Sequence, residues 1–342
     1  MKINKAELQN ALEKVKPGLA GKEMIEQTTS FSFIDDRVVT YNDEISISHP
    51  VKGLDIKGAI KAQALYSFLN KVKKEEIDIE HEENQIIIRA GRSKAGLIFE
   101  KEIVLPIKEE IGKISKWHTI PKDMKDALKL CFPCCSKDMS NPILTGVHVC
   151  ENIVEASDSY QIIQYTLGHF CNVKTFTIPA TTVRELVKYD IVKIAEGDGW
   201  IHFRTEDDTI FSARTISGTY PDTSKHLKIE GVTFEFPKNI IQILEKADVF
   251  ARSDFSTDNI SLVTVEIQNG KIKISTKNEY GWFTENAKTD YKGPPIRFVT
   301  GVEFLVDIFN KLQTCILGKS KIGFTGENWK HIIATIVDEK KE

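Results

Sequence analysis

The chain has no run of apolar residues approaching the roughly 18 that a membrane-spanning helix requires, which excludes that mode of insertion. An excess of one charge is also missing. Lys and Arg number 46 against 49 Asp and Glu, a net charge of −3 over 342 residues. That balance argues against a tight, strongly basic nucleic-acid binder, although a loose hold stays open because local sign matters more than the total. The signatures of phosphate and hydrolytic chemistry are absent too. There is no G-x-x-x-x-G-K-[ST], G-x-S-x-G or H-E-x-x-H, and the eight histidines are scattered.

The six cysteines, at 131, 134, 135, 150, 171 and 315, follow no disulfide framework and are expected as reduced thiols. Cys131-Phe132-Pro133-Cys134 has the spacing of a redox pair or half a zinc site. A zinc site takes about four ligands, and no second Cys/His pair has matching spacing. No metal and no cofactor is expected. Met1-Lys2-Ile3-Asn4-Lys5 leads straight into an amphipathic pattern, so a cytoplasmic address without a secretion signal is expected.

What the chain does have is repetition. Leu8, Ala11, Leu12 and Val15 form one apolar helical stripe. The same spacing returns 116 residues later at Met124, Ala127, Leu128 and Cys131, and after a further 116 at Ile240, Ile243, Leu244 and Ala247. Pro121 and Pro237 stand just ahead of the later two, where proline suits a helix start. A second helix recurs as Leu65, Phe68, Leu69 and Val72, then Val183, Leu186, Val187 and Asp190, then Leu305, Ile308, Phe309 and Leu312. Asp190 is the one polar residue at an apolar position of this pattern. Each second helix precedes two strand-like runs split by a turn, at Glu82-Glu83-Asn84, Gly197-Asp198-Gly199 and Gly326-Glu327-Asn328.

Between the two helices of each repeat lie alternating segments. Ser30–Ile34 and Arg37–Tyr41 flank Asp35-Asp36, Gly146–Cys150 and 153–156 flank Glu151-Asn152, and 262–267 and 271–275 flank the hairpin signal Asn269-Gly270. The reading is α+β, three repeated domains over 1–114, 115–228 and 229–342, each two helices packed on antiparallel sheets. Polar residues near 112–117 and 226–231 link them, and edge strands left open at one repeat can join those of the next.

Several segments resemble bacterial DNA polymerase III beta subunits, the processivity sliding clamps. Ala90-Gly91-Arg92-Ser93-Lys94 is similar to the family's "SGRSRF", and Gly218-Thr219-Tyr220-Pro221-Asp222 to "GRFPDY". Leu144-Thr145-Gly146-Val147 with the later 155–162 is similar to "LNGV…ATDGHRL". The resemblance runs in order along the whole chain. It implies clamp-type domains forming half of a ring, closed by a head-to-tail homodimer. Duplex DNA would pass through without regard to sequence. Polymerase and clamp-loader subunits would dock by short peptide motifs, with no catalytic step and no membrane role.

The resemblance also implies sites. The DNA-facing candidates are Lys5, Lys14, Lys22, Lys71, Lys73, Lys122, Lys125, Lys129, Arg184, Lys188, Lys238, Lys246 and Arg252. Acidic residues are interleaved with them, so a mixed, solvated helix face is the competing reading. A partner-peptide pocket would take Leu144, Ser157, Ser159, Tyr160, Gln161, Ile162, Pro221, Lys225, His226, Ile332, Ala334 and Ile336, some of which read equally well as strand core. Ser159-Tyr160-Gln161 stands where the family has Gly-His-Arg, and the C-terminus lacks the family's Met-Pro-Met-Arg-Leu. The dimer contact would join Ala95 and Leu97 to Val249 and Phe250, the last two also reading as internal core. A clamp-fold protein-binding module that does not encircle DNA is the alternative function.

Overall fold

The computed structural model describes residues 1–111, 114–252 and 260–336. The polar link at Gly112 and Lys113 and the tail Val337–Glu342 lie outside the described residues.

Seven α-helices form among the described residues: α1 (Lys5–Val15), α2 (Ala62–Lys71), the single turn α3 (Ile107–Glu110), α4 (Met124–Cys131), α5 (Ala180–Leu186), α6 (Ile240–Ala251) and α7 (Val302–Phe309). All twelve residues of the first repeated stripe are buried, on α1, α4 and α6. Burying the larger of these side chains contributes about 1.5–3 kcal/mol each. Asn4 caps α1, its Oδ1 accepting from the amides of Ala6 at 2.9 Å and Glu7 at 3.2 Å. Pro121 and Pro237 open the turns that lead into α4 and α6, their carbonyls accepting from Met124 and Ile240. The helices touch in the pairs α1 with α2, α4 with α5 and α6 with α7.

Asp190, the polar exception, is explained by length. α5 ends at Leu186, so Asp190 lies beyond the helix with no core to face. Its carboxylate instead reaches Lys125 Nζ at 2.6 Å.

The chain divides into two compact units. One comprises Met1–Phe132, Gly146–Asn152 and Leu167–Thr219; the other comprises Pro133–Thr145, Ile153–Thr166 and Tyr220–Glu342. The first unit carries a 12-stranded antiparallel sheet. It holds the hairpin Ser30–Ile34 with Arg37–Tyr41, whose turn residues Asp35 and Asp36 have φ of 48° and 59°, as a two-residue turn of this twist demands. Next to it lies Ile45–Pro50, which pairs with Ile210–Arg214 of the second repeat through Ile47↔Phe211. Arg37 Nη1 to Asp208 at 2.9 Å and Arg214 Nη2 to Asp43 at 2.8 Å bracket this junction.

In the second unit, Gln161–Thr166 of the second repeat pairs with Trp329–Ala334 of the third, Ile162 opposite Ile332. The same unit holds a four-stranded sheet ordered Gly281–Lys288, Lys271–Asn278, Leu262–Gln268 and Ile296–Gly301. Val263, Val265 and Ile267 alternate inward against α6, matched by Ile272 and Ile274 across the Asn269-Gly270 turn.

Candidate functional site

Ten of the twelve residues expected at the peptide pocket line one cavity of about 560 Å³ in the second unit. Leu144, Ile162, Pro221, Ile332 and Ala334 supply its apolar wall, and Ser157, Ser159, Gln161 and His226 its polar one, with Tyr160 at the rim. The pairing of Gln161–Thr166 with Trp329–Ala334 brings the isoleucines of two repeats onto one surface. Lys225, in the turn Ser224–His226, and Ile336, bridged to Val299, do not line it. Asn141, Asp222, Thr223, Ser320 and Lys321 do, and had not been expected. Asp222 and Thr223 directly follow Pro221, so their sequence signal was adjacency alone; Ser320 arrives from a distant turn and had none.

The turn at the pocket's edge is built by Asp158. Its Oδ1 accepts from the amides of Tyr160 and Gln161, both at 2.9 Å, and its Oδ2 from Gln161 Nε2 at 2.9 Å. Burial nevertheless pushes the Asp158 carboxyl above its ordinary value, against the pull of these bonds. Ser159 sits in the left-handed region at φ 76°, where glycine is at ease. The Gln161 side chain is then fixed from the other end, its Oε1 accepting from His331 Nε2 at 2.8 Å. His331 is buried, and that burial holds its pKa down at about 3. A neutral imidazole therefore donates beneath the pocket. Tyr160 stacks on Phe304, ring centroids 6.2 Å apart.

Cys134 and Cys135 lie in the same unit, Cys134 Sγ 3.9 Å from His331 Nε2. Burial pushes both thiols well above their ordinary range, leaving them poor nucleophiles. Among the described residues, no group of three or more His, Cys, Asp or Glu is placed to hold a metal.

The thirteen basic candidates fall into three groups. Five have a carboxylate partner: Lys14 with Asp207, Lys125 with Asp190, Lys188 with Glu185, Lys246 with Glu285 and Arg252 with Asp248. Lys5 donates to the Val72 carbonyl at 3.0 Å. Lys22, Lys71, Lys73, Lys122, Lys129, Arg184 and Lys238 are exposed and make no ion pair among the described residues. Exposed ion pairs are worth only about 0–1 kcal/mol, so a phosphate can displace the carboxylate at little cost.

Two strands with open edges lie beside the residues expected at the dimer contact. Ser93–Glu100 pairs along one side with Gln85–Ala90, but on the other meets Gly58–Lys61 only at Phe99 and Glu100. Ala95 and Leu97 are half-buried on this strand, and Ile98 is 78% exposed. In the second unit Gly281–Lys288 ends its sheet, with Trp282 67% exposed. Val249 is exposed, while Phe250 is half-buried and stacked on Phe283 at 6.4 Å.

No family model matches the chain, and no curated protein matches it in sequence. Solved structures do. DNA polymerase III beta chain from Streptococcus pneumoniae superposes with a TM-score of 0.84 at 22% identity, covering 98% of this chain and 99% of that one. DNA polymerase III subunit beta from Pseudomonas aeruginosa gives 0.84 at 16% identity, again over 98% and 99%. The DNA polymerase sliding clamp from Bacillus subtilis gives 0.81 at 19% identity, over 98% of each chain. The chain has the sliding-clamp fold. Within the clamp fold, the sequence expectation of paired helices on antiparallel sheets holds for each of the three repeats.

Proposed function

We propose that the chain is a DNA sliding clamp, a non-catalytic processivity factor that encircles duplex DNA as a head-to-tail dimer and tethers a replicative polymerase. The reading rests on a fold that matches structures named as sliding clamps and polymerase III beta subunits over 98% of the chain. Three domains, 1–114, 115–228 and 229–342, would repeat the helix pair, so that two copies supply six. The seven cations on or beside these helices that make no ion pair among the described residues support sequence-independent contact with phosphates. The open edges at Ser93–Ile98 and Gly281–Lys288 support closure by strand pairing between two copies, with Ala95 and Leu97 meeting Val249 and Phe250.

Tethering needs no chemistry. A ring threaded on DNA holds its partner at high effective concentration by topology, and affinity for any one phosphate stays low. Partner polymerases and loaders would dock through short peptides with apolar anchors in the cavity of Leu144, Ile162, Ile332 and Ala334. A cytoplasmic site of action follows from this role.

One observation favours the second reading, a clamp-fold protein-binding module. Five of the thirteen basic candidates are already neutralised by carboxylates. The two readings separate by mass in solution from light scattering, combined with retention on nicked circular DNA before and after linearisation. A clamp is a dimer that stays on the circle and slides off the linear form. A monomer never retained on circular DNA after loading leaves only the binding module.

A further inference from the structure

Each repeat opens on a short strand that ends its sheet, just ahead of the first helix: Lys2–Asn4, His118–Thr119 and Val232–Glu235. Shortness is one way a protein keeps such an edge from recruiting other chains. The third strand is the longest of these and begins Val232-Thr233-Phe234, residue types that favour an extended backbone. Its inner side is bonded. Phe236 donates its amide to the Gln313 carbonyl at 3.1 Å, and Phe234 stands opposite Cys315 in the same phase. The main-chain groups of Thr233 and Glu235 therefore turn outward, where no strand of the described residues meets them.

A cleft of about 520 Å³ runs along this strand, and residues 288–292 complete its lining. That segment is held in place by Tyr291, whose ring packs edge-on against Phe234 with centroids 5.8 Å apart. The Tyr291 hydroxyl donates to the Pro294 carbonyl at 3.0 Å. Lys238, Lys288 and Lys292 bring three ammonium groups to the cleft, against the carboxylates of Glu235 and Asp290. None of these five side chains makes an ion pair among the described residues. The cleft thus joins a row of outward main-chain donors and acceptors to an excess of positive charge.

We propose that this edge takes up an extended, acidic segment of a partner protein as an added strand. The partner's backbone bonds to the main chain of Thr233 and Glu235, and its carboxylates meet Lys288 and Lys292. Main-chain bonds supply affinity that any extended sequence can collect, and the lysines select an acidic one. Side chains two residues apart fall on the same face of an added strand, so alternating acids present their carboxylates together. The site is separate from the cavity of Leu144 and Ile332 and does not depend on encirclement of DNA. Lys288 and Lys292 also lie outside the set of cations expected at DNA.

The test uses the full-length protein and a short synthetic peptide alternating glutamate with valine, with the lysine–valine peptide as control. Hydrogen exchange read by mass spectrometry should slow several-fold over 232–236 with the acidic peptide and stay unchanged with the basic one. Affinity is read by fluorescence anisotropy. Thr233→Pro removes an outward amide at an edge position, where proline leaves the bonds of the sheet itself intact. It is expected to lower affinity roughly five-fold with the urea midpoint little changed. Lys292→Glu lowers affinity by a similar factor and flattens its salt dependence. Three results each overturn the inference: no binding of the acidic peptide even at low salt, equal binding of the basic peptide, or protection confined to the cavity around Ile162 and Ile332. None of them alters retention on circular DNA, so the clamp reading stands or falls by its own experiment.

Discussion

Replacing His331 by leucine gives a stability change whose size depends on pH in a way the structure fixes. At pH 7.5 the variant loses the Nε2 donor to Gln161 Oε1, a 2.8 Å bond between buried side chains. Leaving that acceptor unpaired costs about 1–3 kcal/mol. Acid has the opposite effect on the comparison. Burial lowers the imidazole from 6.5 to about 3, so between these values the unfolded chain binds a proton that the folded chain does not. Stability of the wild type therefore falls as pH drops below 6.5, at up to about 1.4 kcal/mol per unit. At about pH 5 the loss reaches about 2 kcal/mol from this residue alone. The leucine variant is spared that loss, and the other buried histidines, His49 and His202, act equally on both proteins. The gap seen at pH 7.5 should close or reverse by pH 5. Urea denaturation followed by tryptophan fluorescence at the two pH values reads it directly. A gap that stays constant would refute the placement of a neutral, donating imidazole beneath the pocket.

Other outcomes follow from single contacts. Ser159→Gly relieves a left-handed backbone at φ 76° and is expected to raise stability by up to about 1 kcal/mol, seen as a higher urea midpoint. Asp207→Asn releases Lys14 from its ion pair, which should strengthen duplex binding and steepen its salt dependence by about one counterion; an unchanged slope removes Lys14 from the DNA face. Leu97→Arg places a charge on the open strand Ser93–Ile98 and should shift the protein from dimer to monomer by light scattering, with little change in monomer stability. A dimer that persists unchanged points to a different contact.

The repeat was legible because burial imposes a period. The stripe from Leu8 to Val15 and its two copies had to be apolar to reach a core, and every member did. The turns at Asp35-Asp36 and Asn269-Gly270 were legible because their backbone geometry admits few residue types. What did not show was pairing at a distance. Nothing in Gly281–Lys288 says that it ends a sheet, and nothing in Ile45–Pro50 names Ile210–Arg214 as its neighbour. Ion pairing was equally hidden. Lys14 and Lys22 look alike in sequence, yet one meets a carboxylate across 193 residues and the other meets none among the described residues. His331 gave no signal either, since its role depends on a glutamine 170 positions away.

The junction between Ile45–Pro50 and Ile210–Arg214 is a seam of main-chain hydrogen bonds, and it sets what happens if the chain is cut. A fragment ending ahead of Trp117 keeps the first pair of helices and most of its own sheet. It also bares the edge from Ile45 to Ser48, whose outward amides and carbonyls pair with the second repeat. Such an edge is a template for strand addition. The excised repeat should therefore stick to copies of itself unless that rim is blocked by proline or by charge. Repetition in the sequence does not make the repeats separable: each one is finished by its neighbour.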